Sequence, residues 1–230
     1  MKKKLLVVLL LVLGVFTLTG CDKKVKREEG LAFKREYEAL NGQTTASGKE
    51  WRSLNISEYN PMIKVSDTDI ANKIENKETF YLYVGDPLCP WCRSGLQKFV
   101  DIAVDRKIKD IYYIDFWDDN HNEILRDLYT VEVNKKGKPT FTKTREANPE
   151  YSKILEAVKD FVQDYTIDKD GKTYNVGVKR IFGGDHFYFK DGKCTKYMSL
   201  RSDKLAGAFD ELTKEVLDDQ EKVFTEFFNN

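Results

Sequence analysis

Between residues 79 and 103 the chain joins a buried-looking strand to an amphipathic helix through a pair of closely spaced cysteines. Thr79-Phe80-Tyr81-Leu82-Tyr83-Val84-Gly85 is a continuous apolar and aromatic run, flanked by charge before it and Asp86-Pro87-Leu88 after it. Such a run, with no polar alternation, predicts a central strand covered on both faces. Cys89-Pro90-Trp91-Cys92 follows, and Leu96, Phe99, Val100 and Ala103 then recur at helical spacing. A covered strand needs layers above and below it. The feature therefore points to an α/β chain with a central sheet and helices on both faces.

The remaining elements are read around that core. Glu28–Leu40 predicts a helix with Leu31, Phe33, Tyr37 and Leu40 along its apolar stripe, followed by a polar loop over 41–48. Trp51–Ile56 predicts a strand. Ser66 with Asp69 three residues on resembles a capping box and opens a second helix. Asp110–Phe116 predicts a second buried strand. Residues 118–180 exceed what a simple crossover needs. They are expected to hold a helix at His121–Leu128, a hairpin from Val131–Val133 to Thr140–Thr142 turning at Lys136-Gly137, and a helix from Pro149 to about Asp164. Ile154, Leu155, Val158 and Phe161 of that helix are expected to face inward. Asp168-Lys169-Asp170-Gly171 reads as a turn, because the later ligand positions of a calcium loop do not match. His186–Lys190 and Thr195–Leu200 read as a hairpin joined at Lys190-Asp191-Gly192. From about Asp203 the chain is expected to be helical, with Leu205, Ala208, Phe209, Leu212 and Val216 on one stripe.

The 230 residues make one or at most two domains. With 38 basic and 38 acidic side chains the net charge is zero, which excludes nucleic-acid binding by bulk charge. The most apolar window, Leu5–Leu18, follows Lys2, Lys3 and Lys4. It is short for a spanning helix, which needs about 20 residues, and has the layout of a secretory signal. It ends in Leu18-Thr19-Gly20-Cys21, which resembles the lipobox of bacterial lipoproteins. That resemblance implies cleavage after residue 20 and a lipid-modified Cys21, followed by a charged tether. The mature chain would then carry a charge of about −3 and sit on the outer face of the cell membrane, where disulfide chemistry is plausible.

Cys89 and Cys92 carry the chemistry. At a helix start, the Cys89 sulfur would meet unpaired backbone N–H groups and the positive end of the helix dipole, both of which favour the thiolate. Cys92 lies one turn on and on the same face, within reach of a disulfide. Pro90 suits the first helical position because its missing N–H would go unpaired there. Trp91 offers a flat apolar contact, and Arg93 either adds positive charge or is solvated. A structural disulfide or half a metal site are the competing readings. Zinc would need two further ligands, for which Cys194, His121 and His186 are the soft candidates, and no second close pair exists. Neither a metal nor a cofactor is expected, and Cys194 reads as a buried free thiol or an exposed spare one rather than a catalytic residue.

Phe80 to Cys92, Asp110–Phe116 and Phe187-Tyr188-Phe189-Lys190-Asp191-Gly192-Lys193 together resemble the thioredoxin superfamily, over roughly residue 66 to the C-terminus. Phe33-Lys34-Arg35-Glu36-Tyr37-Glu38-Ala39-Leu40-Asn41 is similar to a segment of extracytoplasmic thioredoxin-like lipoproteins of Gram-positive bacteria. The resemblance implies a thioredoxin-like three-layer fold over residues 66–230. Residues 21–65 would be tether and N-terminal extension, and about 118–180 an enlarged crossover insertion. It also implies Cys89 as attacking and Cys92 as resolving cysteine, acting on protein disulfides or dithiols. Two positions depart from the family. Where thioredoxins have a cis-proline facing the cysteines, alignment on Phe189–Gly192 places Gly184, preceded by Gly183; the Gly183–Gly184 bond is then trans or the loop is reshaped. Pro139-Thr140 looks like the missing motif but precedes the crossover helix. Tyr83 stands where thioredoxins have a buried Asp. Both departures leave open a second function, a lipoprotein binding module on the same scaffold with little redox activity.

Overall fold

The computed structural model describes residues 27–118 and 122–229. The signal segment, Cys21, the start of the tether and His121 lie outside the described residues. In chain order the elements are α1 (Glu28–Glu38), β1 (Met62–Lys64), α2 (Asp67–Glu75), β2 (Phe80–Gly85), α3 (Pro90–Asp105), β3 (Ile111–Asp115), β4 (Leu128–Val133), β5 (Pro139–Arg145), α4 (Pro149–Val158), β6 (Asp164–Lys169), β7 (Lys172–Lys179), β8 (Asp185–Lys190), β9 (Lys193–Ser199) and α5 (Lys214–Phe228).

Five strands make a mixed sheet in the order β1-β3-β2-β8-β9. β1 and β2 both run parallel to β3, with Met62 and Tyr81 each opposite Ile111. β8 is antiparallel to β2, with Tyr83 opposite His186, and β9 is antiparallel to β8. Every residue of β2 is buried, as its unbroken apolar sequence requires. Its side chains alternate between two cores. Tyr81 and Tyr83 join Phe33 and Tyr37 of α1, Leu96 and Phe99 of α3, and Phe224 and Phe227 of α5. Phe80, Leu82 and Val84 join Ile70 of α2, Ile154 and Val158 of α4, and Phe187 and Phe189 of β8. Three helices thus cover one face of the sheet and two the other, an α/β architecture in three layers. Each fully buried Leu or Phe contributes about 1.5–3 kcal/mol of hydrophobic stabilisation.

Several local expectations hold. Ser66 caps α2 by accepting from Asp69 N–H at 3.1 Å, while the Asp69 carboxylate accepts from Ser66 N–H at 3.0 Å. The hairpins β4–β5 and β8–β9 form with Val131 opposite Phe141 and Phe187 opposite Tyr197. Pro149 is the first residue of α4.

Others are corrected. Trp51–Ile56 is not a strand: Trp51, Leu54 and Ile56 are buried, but in irregular chain. Trp51 N–H donates to Gln43 O (2.9 Å), and three further N–H groups donate to side chains, Leu54 to Asn41 Oδ1 (3.0 Å), Asn55 to Gln97 Oε1 (2.6 Å) and Ile56 to Glu38 Oε1 (2.7 Å). In α1 only Phe33 and Tyr37 of the expected stripe are buried. The helix expected at His121–Leu128 is replaced, from residue 122 on, by irregular chain anchored by a Trp117–Glu123 bridge. Glu123 there is buried and pairs with Arg126, with Arg145 at 3.5 Å and with Arg180 at 3.7 Å. That ion network outweighs local helix propensity. α4 ends at Val158, and Phe161 is exposed rather than inward. Residues 203–213 form turns, so the last helix begins only after Thr213, whose hydroxyl accepts from Val216 N–H. Asp170-Gly171 is indeed a turn, but it joins β6 to β7, a further two-stranded hairpin.

Candidate active site

The C-terminal end of β2 delivers the chain to Cys89, the N-cap of α3, at φ −82° and ψ 109°. Cys89 Sγ accepts the backbone N–H of Cys92 at 3.1 Å. The hydrogen-bonded sulfur thus takes one of the donors that a helix start leaves unpaired. Pro90 occupies the first helical position. Cys89 is half-buried and Cys92 fully buried, and both carry free thiols. Burial pushes the Cys92 thiol well above its ordinary range, and neighbouring Cys89 and the Asp86 carboxylate push the same way. Trp91 is partly exposed, with the Arg201 guanidinium 4.5 Å from its ring centroid. Leu88, immediately before the pair, is 38% exposed, so apolar surface flanks Cys89.

Gly183 and Gly184 close the site from the segment leading into β8. A Cβ placed on Gly183 would lie 3.0 Å from Cys89 Sγ and 3.1 Å from Cys92 Sγ. The backbone of Gly183 therefore packs close against both sulfurs, and a side chain there would require them to give by a few tenths of an ångström. Gly184 has φ +98°, a conformation that suits glycine. Its N–H donates to Val84 O at 2.8 Å and its carbonyl accepts from Leu200 N–H at 2.9 Å. No peptide bond among the described residues is cis. Asp185 clamps the same segment, accepting from Phe182 N–H at 2.8 Å and from the Tyr197 hydroxyl at 3.0 Å. Burial raises the Asp185 carboxyl to about 7.

Arg93 is neither solvated nor ion-paired. It is 1% exposed and donates to Arg52 O (2.6 and 2.9 Å), Tyr37 O (2.7 Å) and Asn41 Oδ1 (3.1 Å). Among the described residues no carboxylate forms an ion pair with it. The guanidinium is thus a buried cation one residue past Cys92, met by carbonyl and amide dipoles chiefly from the chain before β1, with Pro87 O at 3.5 Å besides. Tyr83 is also fully buried. Its hydroxyl lies 2.9 Å from that of Tyr37, and its ring stacks on Tyr113 and His186. Burial pushes both hydroxyls up, so both stay neutral.

Sequence reasoning passed over Asp86 as part of a turn. It is 8% exposed, its carbonyl accepts from Cys89 N–H at 3.3 Å, and burial, with repulsion from Asp115, lifts its carboxyl to about 6. A cleft of about 270 Å³ opens beside it between Leu40, Lys64, Leu88 and Trp117. The available signal was an acid placed directly between a buried strand and the first cysteine.

The structure brings Cys89, Pro90, Trp91, Cys92, Arg93, Gly183 and Gly184 to one end of the sheet. Cys194 is not among them; it sits in β9, its thiol donating to Lys196 O at 3.5 Å and pushed up to about 12 by burial. Among the described residues no group of three or more His, Cys, Asp or Glu is placed to hold a metal ion, and no helix is long and apolar enough to cross a membrane. Comparison with protein-family models and with curated protein sequences gives no match.

Proposed function

We propose that the chain is a thiol–disulfide oxidoreductase of thioredoxin-like fold, tethered to the outer face of the cell membrane through lipid on Cys21. Three parallel strands followed by an antiparallel hairpin, with the cysteine pair between β2 and α3, support the fold reading. One observation carries the activity: the accessible Cys89 sulfur accepts a helix N-terminal N–H while the Gly183 backbone rests on both sulfurs. Such a sulfur is placed to attack, and the half-buried Gly183 beside it leaves room for a substrate segment to approach.

Cys89 thiolate attacks one sulfur of a substrate disulfide, forming a mixed disulfide and releasing one substrate thiolate, which takes a proton from solvent. Cys92 then loses its proton and attacks Cys89 Sγ. The Cys89–Cys92 disulfide forms and the second substrate thiolate leaves. Two electrons pass from the dithiol to the substrate; the reverse sequence oxidises a substrate dithiol. No cofactor enters either direction. The lipid anchor rests on the lipobox-like sequence, and Cys21→Ser should move the protein from the membrane fraction to the medium.

The test of the chemistry is a Cys92→Ala chain incubated with a peptide disulfide. Intact mass should show a mixed disulfide accumulating at Cys89. A second reading, a binding module with little redox activity, is favoured by the burial of Cys92, which keeps its thiol protonated and slows resolution. Recovery of only the unmodified chain after thiol trapping would select that reading.

A further inference from the structure

His186 lies under the cysteine site in a setting that a hydrocarbon side chain would fill at lower cost. It is fully buried in β8, stacked on Tyr83 at 4.5 Å, with Phe99 at 4.0 Å and Phe227 at 6.2 Å between ring centroids. Its Nε2 has no hydrogen-bond partner, a defect worth about 1–3 kcal/mol. Its Nδ1 lies 3.0 Å from Gly184 O. A carbonyl can only accept, so Nδ1 carries the proton and Nε2 the lone pair. Burial keeps the ring neutral, its pKa pushed down to about 3.

We propose that His186 is a positioning residue: its Nδ1–H, together with Leu200 N–H, pins the Gly184 carbonyl and so fixes the Gly183 backbone against Cys89 and Cys92. The Gly183–Gly184 segment lacks a proline to stiffen it, and glycine is the residue with most backbone freedom to lose. Three hydrogen bonds on Gly184, one of them from a side chain, supply the missing stiffness. The orphaned Nε2 is the cost of placing a donor at the δ position of a core ring.

This inference rests on the redox reading of Cys89 and Cys92, and its test separates the two. Full-length His186→Phe keeps an aromatic ring and removes the donor. His186→Asn keeps a donor close to the δ position, and His186→Gln moves it one carbon outward. Losing one hydrogen bond of ordinary strength should speed amide hydrogen exchange at Gly184 up to about tenfold in His186→Phe and His186→Gln, with His186→Asn close to the natural chain. In the same order, kcat/KM toward a peptide disulfide should fall by up to about tenfold, and the reduction potential of the Cys89–Cys92 couple should shift, changes that a purely packing role would not produce. Unchanged Gly184 exchange in His186→Phe, or His186→Asn no better than His186→Gln, overturns the positioning role. Faster exchange with unchanged kcat/KM and potential overturns its bearing on the thiols. If the natural chain itself exchanges no disulfides, the redox reading fails, while Gly184 exchange still decides whether His186 holds the loop.

Discussion

The two cores on either side of the central sheet differ in chemistry although the same strands build both. Phe80, Leu82 and Val84 of β2 point into a mainly hydrocarbon core with Ile154, Val158, Phe187 and Phe189. Tyr81 and Tyr83 point into a core that also encloses the Tyr37 hydroxyl, the His186 imidazole, the Arg93 guanidinium and the Cys92 thiol. Burying polar groups is unfavourable unless each finds a partner. The first core therefore supplies stability, while the second gives up some of it to hold groups at fixed positions near Cys89.

Phe187→Ala should give the largest effect on this contrast. It empties a fully buried ring site in the hydrocarbon core and should lower unfolding free energy by about 3–5 kcal/mol. Urea denaturation measures the loss, and the folded fraction should alkylate Cys89 at the natural rate. An altered alkylation rate would break the division of labour between the cores. Arg93→Met should come next. It leaves the Arg52 and Tyr37 carbonyls without their donor, a loss of about 3 kcal/mol. Unlike Phe187→Ala, it should also slow disulfide exchange by the folded fraction.

The smallest effect, counted per pH unit, is a pH slope of opposite sign for two neighbouring residues. The Asp185 carboxyl titrates near 7 in the folded chain against an ordinary 3.8. Its contribution is full below about 4 and is lost as pH rises to about 7, at most about 1.4 kcal/mol per pH unit. His186 titrates near 3 against 6.5, so its contribution is full above about 6.5 and is lost as pH falls toward 3. Asp185→Asn should therefore make stability rise more steeply between pH 4 and 7, and His186→Phe should do the reverse. Denaturation midpoints at several pH values would show equal slopes in both variants if these two groups were not the cause.

What the sequence revealed follows the same line. β2 was legible because burial on both faces leaves an unbroken apolar run, and β8–β9 because Asp191-Gly192 marks a tight turn. The cysteine pair was legible from its spacing and its place between strand and helix. Trp51–Ile56 misled because burial alone looks like a strand, whereas three of its backbone donors are answered by the side chains of Asn41, Gln97 and Glu38 from elsewhere in the chain. The fates of Arg93 and Asp86 were hidden for a related reason: each is decided by residues distant in sequence or by a cleft that exists only after folding. β6 and β7 escaped notice because the inward residues of each are few in number and only half-buried, so their alternation is faint in the sequence.

The hydrogen bonds from Arg93 to Tyr37 and Arg52 set a limit on how this protein can be shortened. A chain begun at residue 66, where the second helix is capped, would keep both cysteines yet strip the guanidinium of its two closest carbonyl acceptors and remove the phenol beside Tyr83. The described residues ahead of that cap, 27–65, are thus a built-in wall of the thiol chamber, and a trimmed version would expose that chamber's charged floor to water.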